Sequence, residues 1–353
     1  GIGGTWEEFD LGAQPLVPRA SSGNASYASF YARNSSLNER SAIESDSQYV
    51  TLGKETEWGR LSSVTTRSNW EIDPNVLDLS FSDSQLAGLA VFRPDLVSSS
   101  TITEERRNWT EDLSLASDPD EAFRWNVGLF YNSRKVNGKS TRMIPMPSDG
   151  NTSNIAGYQL YSSETSYSTR AKNYSVRGNV SKDVLEESTI EFGLRLDTSK
   201  QEMARSKANS YPFLNPPFQA AVPPTSLAET FDWMSANVGF LHPLSETLAL
   251  SINSSVSSKP GGFSAYLDPG SGNSEKFVRE KNWATDIGLS LQPSDQTGFS
   301  ITAYLNKIDD HQFEMPIPLS TDYYVTNAEE ATVKGLEIEG FFKLAEGFTF
   351  NAA

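Results

Sequence analysis

The sequence has 353 residues, of which 37% are hydrophobic and 11% aromatic, and its mean hydropathy is −0.45. Its formal net charge of −16 argues against a nucleic-acid partner, because phosphate backbones select basic surfaces. The sequence has no cysteine and only two histidines, so we expect no metal site and no cofactor. No apolar run approaches the roughly 18 residues of a membrane helix. A membrane barrel remains open, because every second residue of its strands can be polar.

The first 46 residues give a weak signal. Trp6 to Leu11 and Tyr27 to Arg33 have strand-like composition, but Ser, Asn, Gly and Pro interrupt them. We therefore divide the chain into 1–46, a poorly defined N-terminal segment or loop, and 47–353, the main domain.

From residue 47 onward, apolar and polar residues alternate with period two, which predicts β-strands. A hairpin is expected around Trp58-Gly59, and a tight turn at Asp118-Pro119-Asp120. The predicted strands are Gln48–Thr56, Arg60–Trp70, a strand ending at Ser117, Phe123–Asn137, Tyr167–Lys182, Thr189–Glu202, Glu229–Leu241, Thr247–Ser257, Lys281–Gln292, Phe299–Asp310, a strand from Gly335 to Leu344, and a last strand that begins after Gly347.

The strand that begins at Gly335 has the clearest pattern. Leu336, Ile338 and Phe342 fall on one face, while Glu337 and Glu339 fall on the other. A soluble sheet can bury such an apolar face in its core, and a transmembrane barrel can turn it to lipid.

The connections between strands favour the barrel. They alternate between turns of a few residues and loops of roughly 15–30 residues, an asymmetry typical of short periplasmic turns and long extracellular loops. The strands are also close to the roughly 9–11 residues that cross a bilayer at a tilt. The sequence therefore predicts an all-β fold, an antiparallel transmembrane β-barrel.

Specific motifs resemble those of TonB-dependent outer-membrane receptors. One motif is similar to a loop start of that family, namely Lys259-Pro260-Gly261-Gly262-Phe263. A second motif is similar to one of its strands and runs from Glu280 through Asp286-Ile287-Gly288-Leu289. In this second motif Asp286 replaces a family Glu and Ser290 replaces a family Lys. Asn327-Ala328 with Gly335-Leu336-Glu337 matches the family's Asn-Ala…Gly-x-Glu signature. Further similarities lie in Ala303 to Gln312 and in Glu111 to Tyr131, where Asp112 and Ser114 depart from the pattern.

The resemblance implies a bacterial outer-membrane receptor that takes up a scarce nutrient, and a ferric siderophore is the expected one. It implies outer-membrane lipid and the TonB–ExbB–ExbD energy-coupling system as partners, the latter through a plug domain. We count about twelve strands where the family has about 22, so we expect a partial barrel, a piece of a longer receptor incomplete at both ends. No enzymatic activity is expected.

Aromatic and arginine side chains in the predicted long loops are the candidate ligand-binding residues. Siderophores are large and partly apolar, which suits aromatic surfaces, and arginine can pair with anionic groups in a bidentate manner. Loops that pack on themselves would have the same composition. The candidates at the predicted extracellular mouth are Tyr211, Phe213, Phe218, Phe263, Tyr266, Tyr323, Tyr324, Arg67, Arg142 and Arg205.

Two carboxylate groupings have plainer interpretations. Glu191, Glu337 and Glu339 are expected to face the barrel lumen, paired with neighbours such as Arg195. Asp309-Asp310-His311 is interpreted as a solvated strand end rather than a metal site.

Two other functions remain open. A passive porin-type channel shares the alternation and the loop asymmetry, but not the Asn-Ala…Gly-x-Glu signature. A secreted soluble β-sheet binding protein would need a buried core instead of a lipid-facing surface.

Overall fold

The computed structural model describes residues 1–12, 40–78, 96, 98–149, 153–184, 187–211, 218–266, 275–316, 323–345 and 347–353. Within these residues the elements are almost entirely β-strands. The helical segment there is one 3-10 turn, Ile155–Gly157, and no helix is long and apolar enough to cross a membrane.

Thirteen strands form one antiparallel sheet in which each strand pairs with its neighbours in the chain. Two further short strands, β10 and β11, pair with each other in the connection between β9 and β12. The strands are β1 (Ile2–Gly12), β2 (Arg40–Thr56), β3 (Gly59–Asp78), β4 (Ser99–Ala116), β5 (Phe123–Pro147), β6 (Tyr158–Val184), β7 (Ser188–Tyr211), β8 (Phe218–Ser245), β9 (Leu248–Lys259), β10 (Gly262–Phe263), β11 (Lys276–Phe277), β12 (Glu280–Ser294), β13 (Thr297–Pro316), β14 (Tyr323–Ala345) and β15 (Phe348–Ala352).

The weak strand signal at the N-terminus is confirmed as β1, which pairs with β2 along its whole length. The β-strand architecture and the predicted hairpins are also confirmed. The interval Tyr27 to Arg33 lies outside the described residues.

The tight turns lie at one end of the sheet, as predicted. The β2–β3 turn places Gly59 at φ 126°, and a Cβ there would lie 2.0 Å from the Ala116 carbonyl oxygen. Glycine satisfies both the positive φ and the close approach of β4.

At the other end the predicted loops are too long. Much of the polar sequence assigned to loops, such as 138–147 and 203–211, continues the ladder of the strands. Alternation of apolar and polar residues marks a strand only where one face is buried or in lipid. The outer part of each strand is polar on both faces, so its pattern predicts a loop.

The two faces of the sheet differ in chemistry. On β13 and β14, Ile301 lies opposite Ile338 and Ala303 opposite Leu336, and both Leu336 and Ile338 are about three-fifths exposed, at 60% and 58%. This apolar surface is called the outer face. The opposite, inner face carries Glu337 of the same strand beside Thr302.

The sheet lacks the core that a soluble β-protein requires. Among the described residues, the buried apolar side chains are Ile72, Leu96, Tyr167, Ala171, Met203 and Phe231. The exposed apolar side chains are far more numerous and lie on every long strand. Leaving so much apolar surface in water is unfavourable at about 25 cal/mol per Å², so the outer face fits lipid.

Ion pairs neutralise charge on the inner face. Arg177 donates to both carboxylate oxygens of Asp112, at 2.9 and 2.7 Å. Arg195 pairs with Asp197 at 2.8 Å, so the expected pairing of Arg195 with Glu191 is wrong. Asp197 lies two residues along the same strand, where its side chain shares the inner face with Arg195.

A charge on the outer face tests this assignment. We expect Ile338→Lys to lower the free energy of unfolding in lipid bilayers by about 2–4 kcal/mol, because the ammonium group would lie in hydrocarbon. Glu337→Lys, one residue away on the inner face, is the matched control and should change it much less. Equal losses in urea titrations of the two variants in vesicles would contradict a lipid-facing Ile338.

Candidate functional site

The connection between β9 and β12 folds against the inner face at the end of the sheet opposite the tight turns. Its two arms form the β10–β11 ladder, in which Gly262 pairs with Phe277, and the Ser264 N–H donates to the Glu275 carbonyl at 2.7 Å. We call residues 260–279 the inner loop; the structure describes 260–266 and 275–279 of it.

On one side the inner loop is fixed to β7 and β8. Gln201 Nε2 donates to the Gly261 carbonyl at 3.0 Å. The Arg205 side chain is 1% exposed, pairs with Glu275 and donates to Thr225 Oγ1 at 3.2 Å. Because a buried guanidinium is stable only when paired, this contact fixes one arm of the loop to the wall.

Two tyrosines connect the inner loop to the strands further along the sheet. The Tyr266 and Tyr167 hydroxyls are 2.9 Å apart, and their rings meet edge to face at 5.2 Å. Tyr167 donates to Glu104, which also pairs with Arg106, and the Arg106 guanidinium lies 4.6 Å from the Trp70 ring centre. We call Trp70, Glu104, Arg106, Tyr167 and Tyr266 the mouth cluster.

The phenol of Tyr266 acts as a neutral group. Burial is the largest cause that raises its pKa above the ordinary value. The hydroxyl therefore stays protonated at neutral pH and can exchange a hydrogen bond with Tyr167 or with a ligand.

On the other side the inner loop is fixed to β13 and β14. Gln312 Nε2 donates to the carbonyls of Pro260 and Val278, both at 2.9 Å. The Asn327 side chain accepts from the Val278 N–H at 2.8 Å and donates to the Val278 carbonyl at 3.1 Å. Glu280 accepts from the Gln312 N–H at 2.7 Å, which closes the network.

Glycine is required where the loop meets the wall. A Cβ at Gly261 would lie 2.5 Å from the Phe277 carbonyl oxygen and 2.6 Å from the Phe231 ring. A Cβ at Gly262 would lie 2.6 Å from the Phe277 ring. The backbone can therefore approach β8 and β11 closely only without side chains at these positions.

The structure places some of the sequence-predicted residues together. Tyr266 of the inner loop contacts the wall, Arg205 of the wall contacts the inner loop, and Phe263 lies half-buried in β10. Tyr323 begins β14 and is 47% exposed, on the same face of that strand as Asn327. Arg142 is buried and acts electrostatically on Tyr266.

Other candidates lie elsewhere. Tyr324 is on the face of β14 opposite Tyr323, and Arg67 points from the outer face beside Trp109. Tyr211 packs on Tyr161 at 4.9 Å, at the tips of β6 and β7. Phe213 lies outside the described residues, and for Phe218 the structure describes only the backbone, at the start of β8.

Four members of the mouth cluster are absent from the sequence-predicted set, namely Trp70, Glu104, Arg106 and Tyr167. They lie inside long strands, and only the pairing of β3 with β4, β4 with β5 and β5 with β6 brings them to one place. The sequence offers one signal: residues two apart on a strand, such as Glu104 and Arg106, point to the same face.

A comparison with family models assigns residues 3–353 to the TonB-dependent receptor-like β-barrel. The chain belongs to the TonB-dependent receptor family. The match runs from β1 to the last residue, across the boundary predicted at residue 46, and family members of this kind are outer-membrane barrels.

Solved structures of receptors share the fold. The ferric yersiniabactin uptake receptor FyuA of Yersinia pestis has a TM-score of 0.69 and 14% identity, with 89% of this chain and 42% of that one covered. The siderophore receptor PiuA of Acinetobacter baumannii has a TM-score of 0.60 and 12% identity, with 89% of this chain and 47% of that one covered. The copper transporter OprC has a TM-score of 0.58 and 14% identity, with 88% of this chain and 45% of that one covered. The chain thus spans less than half the length of these structures. Curated proteins gave no significant match.

The receptor motifs seen in the sequence meet in one hydrogen-bond network. Pro260 belongs to the loop-start motif, Glu280 to the strand motif, and Asn327 to the Asn-Ala motif, and all three contact the inner loop or its anchor Gln312. Spacing along the sequence could not reveal that these motifs share a role.

The run Asp309-Asp310-His311 also belongs to this network. The expectation that it is a solvated strand end is wrong, because β13 continues to Pro316 and pairs with β14 on both sides of the run. Asp310 has a positive φ of 54°, and its carbonyl accepts from Asn327 Nδ2 at 2.6 Å. His311 Nδ1 lies 3.1 Å from Glu280. In the described part of the chain no group of three or more His, Cys, Asp and Glu side chains is arranged for a metal ion.

Loss of the Asn327 amide should loosen the inner loop. Asn327→Ala removes the acceptor of the Val278 N–H, a loss of about 1–3 kcal/mol for a group left unpaired. We expect amide hydrogen exchange in 275–281 to become about five- to a hundredfold faster by mass spectrometry. Asn306→Ala, on the inner face of β13 below the loop, is the control. Unchanged exchange in Asn327→Ala would show that the amide does not hold the loop.

Proposed function

We propose that this barrel imports a ferric siderophore across the outer membrane, with energy supplied by TonB–ExbB–ExbD. Family membership supports energised uptake as the type of activity. The inner loop is the structural observation that carries the proposal, because its Phe263 and Tyr266 lie near Arg205 of β7 and the Tyr167–Glu104–Arg106 contacts of the inner face.

The chemistry of the mouth suits an iron chelate with aromatic or carboxylate groups. Tyr266, Phe263 and Tyr323 offer flat amphipathic surfaces of the kind that bind large, partly apolar ligands. Arg106 and Arg205 bring positive charge to the same region, and each is already paired with a carboxylate. Arg205 is buried and holds the loop, whereas the Arg106 side chain is 54% exposed. A ligand carboxylate or catecholate can compete for the Arg106 guanidinium, since Arg binds such anions in a bidentate manner.

A passive channel fits this arrangement less well. The inner loop is bonded to β7 on one side and to β13 and β14 on the other, so it crosses the inner face. Asn327, which holds this loop, belongs to the Asn-Ala…Gly-x-Glu signature, and a porin does not predict that signature.

The fold gives equal support to a different cargo. The copper transporter resembles this chain about as closely as the siderophore receptor PiuA does. Siderophore is preferred because the candidate mouth carries tyrosine and arginine, which suit an iron chelate with aromatic or carboxylate groups.

Uptake by living cells tests the proposal. Deleting the gene should abolish accumulation of radiolabelled iron from one member of a ferric siderophore panel, and an uncoupler should have the same effect in the parent strain. Copper accumulation should not change. Iron uptake that persists in the deletion strain for every siderophore, or that resists the uncoupler, would contradict the proposal.

Paired tyrosine variants test the mouth. Tyr266→Ala with Tyr323→Ala should weaken ligand binding by about five- to a hundredfold, from about 0.5–1.5 kcal/mol for each aromatic contact. Tyr324→Ala is the matched control, because Tyr324 lies on the other face of β14 from Tyr323. Binding titrations in which the control loses as much affinity as the double variant would argue against ligand contact at this mouth.

A further inference from the structure

The mouth cluster contains a short chain of hydrogen bonds. The chain runs from Tyr266 through Tyr167 to Glu104, and Glu104 is in turn paired with Arg106. Its inner members are shielded from solvent, since 12% of the Glu104 side chain and 8% of Tyr167 are exposed. Water therefore competes little for these contacts, and each side chain is held in one arrangement.

The wall is built to bring Tyr167 to Glu104. Gly138 of β5 lies between them in register, paired with Glu104 on one side and with Tyr167 on the other. A Cβ at Gly138 would lie 2.6 Å from Cε1 of the Tyr167 ring and closer still to its hydroxyl. The ring thus crosses β5 over a position without a side chain, and its hydroxyl reaches the carboxylate on β4.

The protons of the two tyrosines set the direction of the chain. Burial is the largest cause that raises the pKa of Tyr167 far above its ordinary value, so this phenol keeps its one proton. The carboxylate of Glu104 can only accept, so Tyr167 donates that proton to it. Only the oxygen lone pairs of Tyr167 are left for Tyr266. The 2.9 Å contact between the two hydroxyls is therefore a donation by Tyr266.

The Tyr266 hydroxyl consequently meets a ligand as an acceptor. Its single proton is directed at Tyr167, and within the described residues this hydroxyl forms no other hydrogen bond. The residue is half-buried rather than enclosed, so a ligand can reach its remaining lone pair. A ligand N–H or O–H group satisfies that lone pair, whereas a carbonyl, ether or carboxylate oxygen would place two acceptors against each other.

We propose that Tyr266 selects cargo that presents an N–H or O–H donor, such as an amide or a hydroxyl of the chelate, and that Glu104 is the positioning residue that sets this preference. The selection rests on the proposed function, which places the cargo at Tyr266. The direction of the hydrogen-bond chain does not depend on the cargo.

Replacing Glu104 by glutamine should reverse the chain. In the wild type, Arg106 Nε donates to one oxygen of Glu104 and Tyr167 donates to the other. A guanidinium offers only donors, so the amide oxygen of the new side chain stays with Arg106 and its NH2 group turns to Tyr167. Tyr167 then donates to Tyr266, whose own proton becomes free for a ligand.

Glu105→Gln is the matched control. Glu105 also pairs with an arginine two residues further along β4, because Arg107 Nε donates to it at 2.6 Å. This pair lies on the outer face, one residue away from Glu104. Both variants remove one carboxylate charge from the same kind of pair, so a difference between them reports on the contact of Tyr167 with Tyr266.

Raman difference spectra of the full-length gene product test the direction without any cargo. Subtracting the spectrum of the same protein with Tyr266→Phe isolates Tyr266, and the relative intensities of the tyrosine ring doublet distinguish a donating from an accepting hydroxyl. We expect a donating Tyr266 in the wild type and in Glu105→Gln, and an accepting one in Glu104→Gln. An accepting Tyr266 in the wild type overturns the proposal even if Glu104→Gln does not fold, and so does an unchanged doublet in a folded Glu104→Gln.

Two neutral probes test the selection. Benzamide and acetophenone have nearly the same shape, but only benzamide offers an N–H donor. Relative to Tyr266→Phe, the wild type and Glu105→Gln should favour benzamide over acetophenone by about fivefold in NMR titrations, the worth of about one hydrogen bond. In Glu104→Gln this preference should fall to about one, because both carbonyls can then accept from Tyr266.

The preference of the wild type decides the selection. Equal ratios in the wild type and Tyr266→Phe, or no measurable binding of benzamide to the wild type, overturn it. Neither result touches the uptake of iron by cells, which tests the proposed function separately.

Discussion

The structure depends on the pairing of backbone groups inside the bilayer. Hydrocarbon offers no water to an unpaired N–H or C=O, and each such group costs several kcal/mol there. The register shifts between the described strands accordingly fall near strand ends or in the polar extensions, such as those at Ile72/Asn75 and Arg205/Lys207. Through the apolar band the ladders are continuous. Because a shift of one residue would move Ile338 to the inner face, the pairing also fixes which side chains meet lipid.

Continuous pairing gives the inner face its chemistry as well. Side chains that point inward can be polar, provided that their charges are neutralised, as in the Arg177–Asp112 pair. The same wall then holds the inner loop through side-chain amides, Gln201 on one side and Gln312 and Asn327 on the other. Neutral amides suit this role, because each offers a donor and an acceptor to a loop backbone without the cost of burying a charge. The loop is therefore part of the wall's hydrogen bonding, and a ligand that reaches Tyr266 meets a surface that is already fixed.

The sequence predicts the fold well where physics makes the two faces differ. Alternation at Leu336, Glu337 and Ile338 identifies a strand and its faces, and the turn at Gly59 marks a hairpin.

Prediction from the sequence fails in the strand extensions, because a segment such as 203–211 is polar on both faces and resembles a loop. The mouth cluster could not be predicted for a related reason: Glu104 and Tyr167 are far apart in the chain, and only the pairing of β4 with β5 and of β5 with β6 brings them together. Conversely, the position of Arg67 near a loop predicts a place at the mouth. Side chains alternate between the two faces along β3, however, and this alternation places Arg67 on the outer face.

The most direct test of the account is a scan of single cysteines along β14 from Lys334 to Phe342, which the absence of native cysteine makes possible. Each variant of the full-length product is reconstituted in vesicles, labelled with a nitroxide and probed for collisions with oxygen, which dissolves in lipid, and with a water-soluble nickel complex. Collision with oxygen should alternate with period two and be highest at Leu336 and Ile338, while Glu337 and Glu339 respond to the nickel complex. Equal responses at neighbouring positions, or maxima for oxygen at the glutamate positions, would contradict a wall with one face in lipid and one in the lumen.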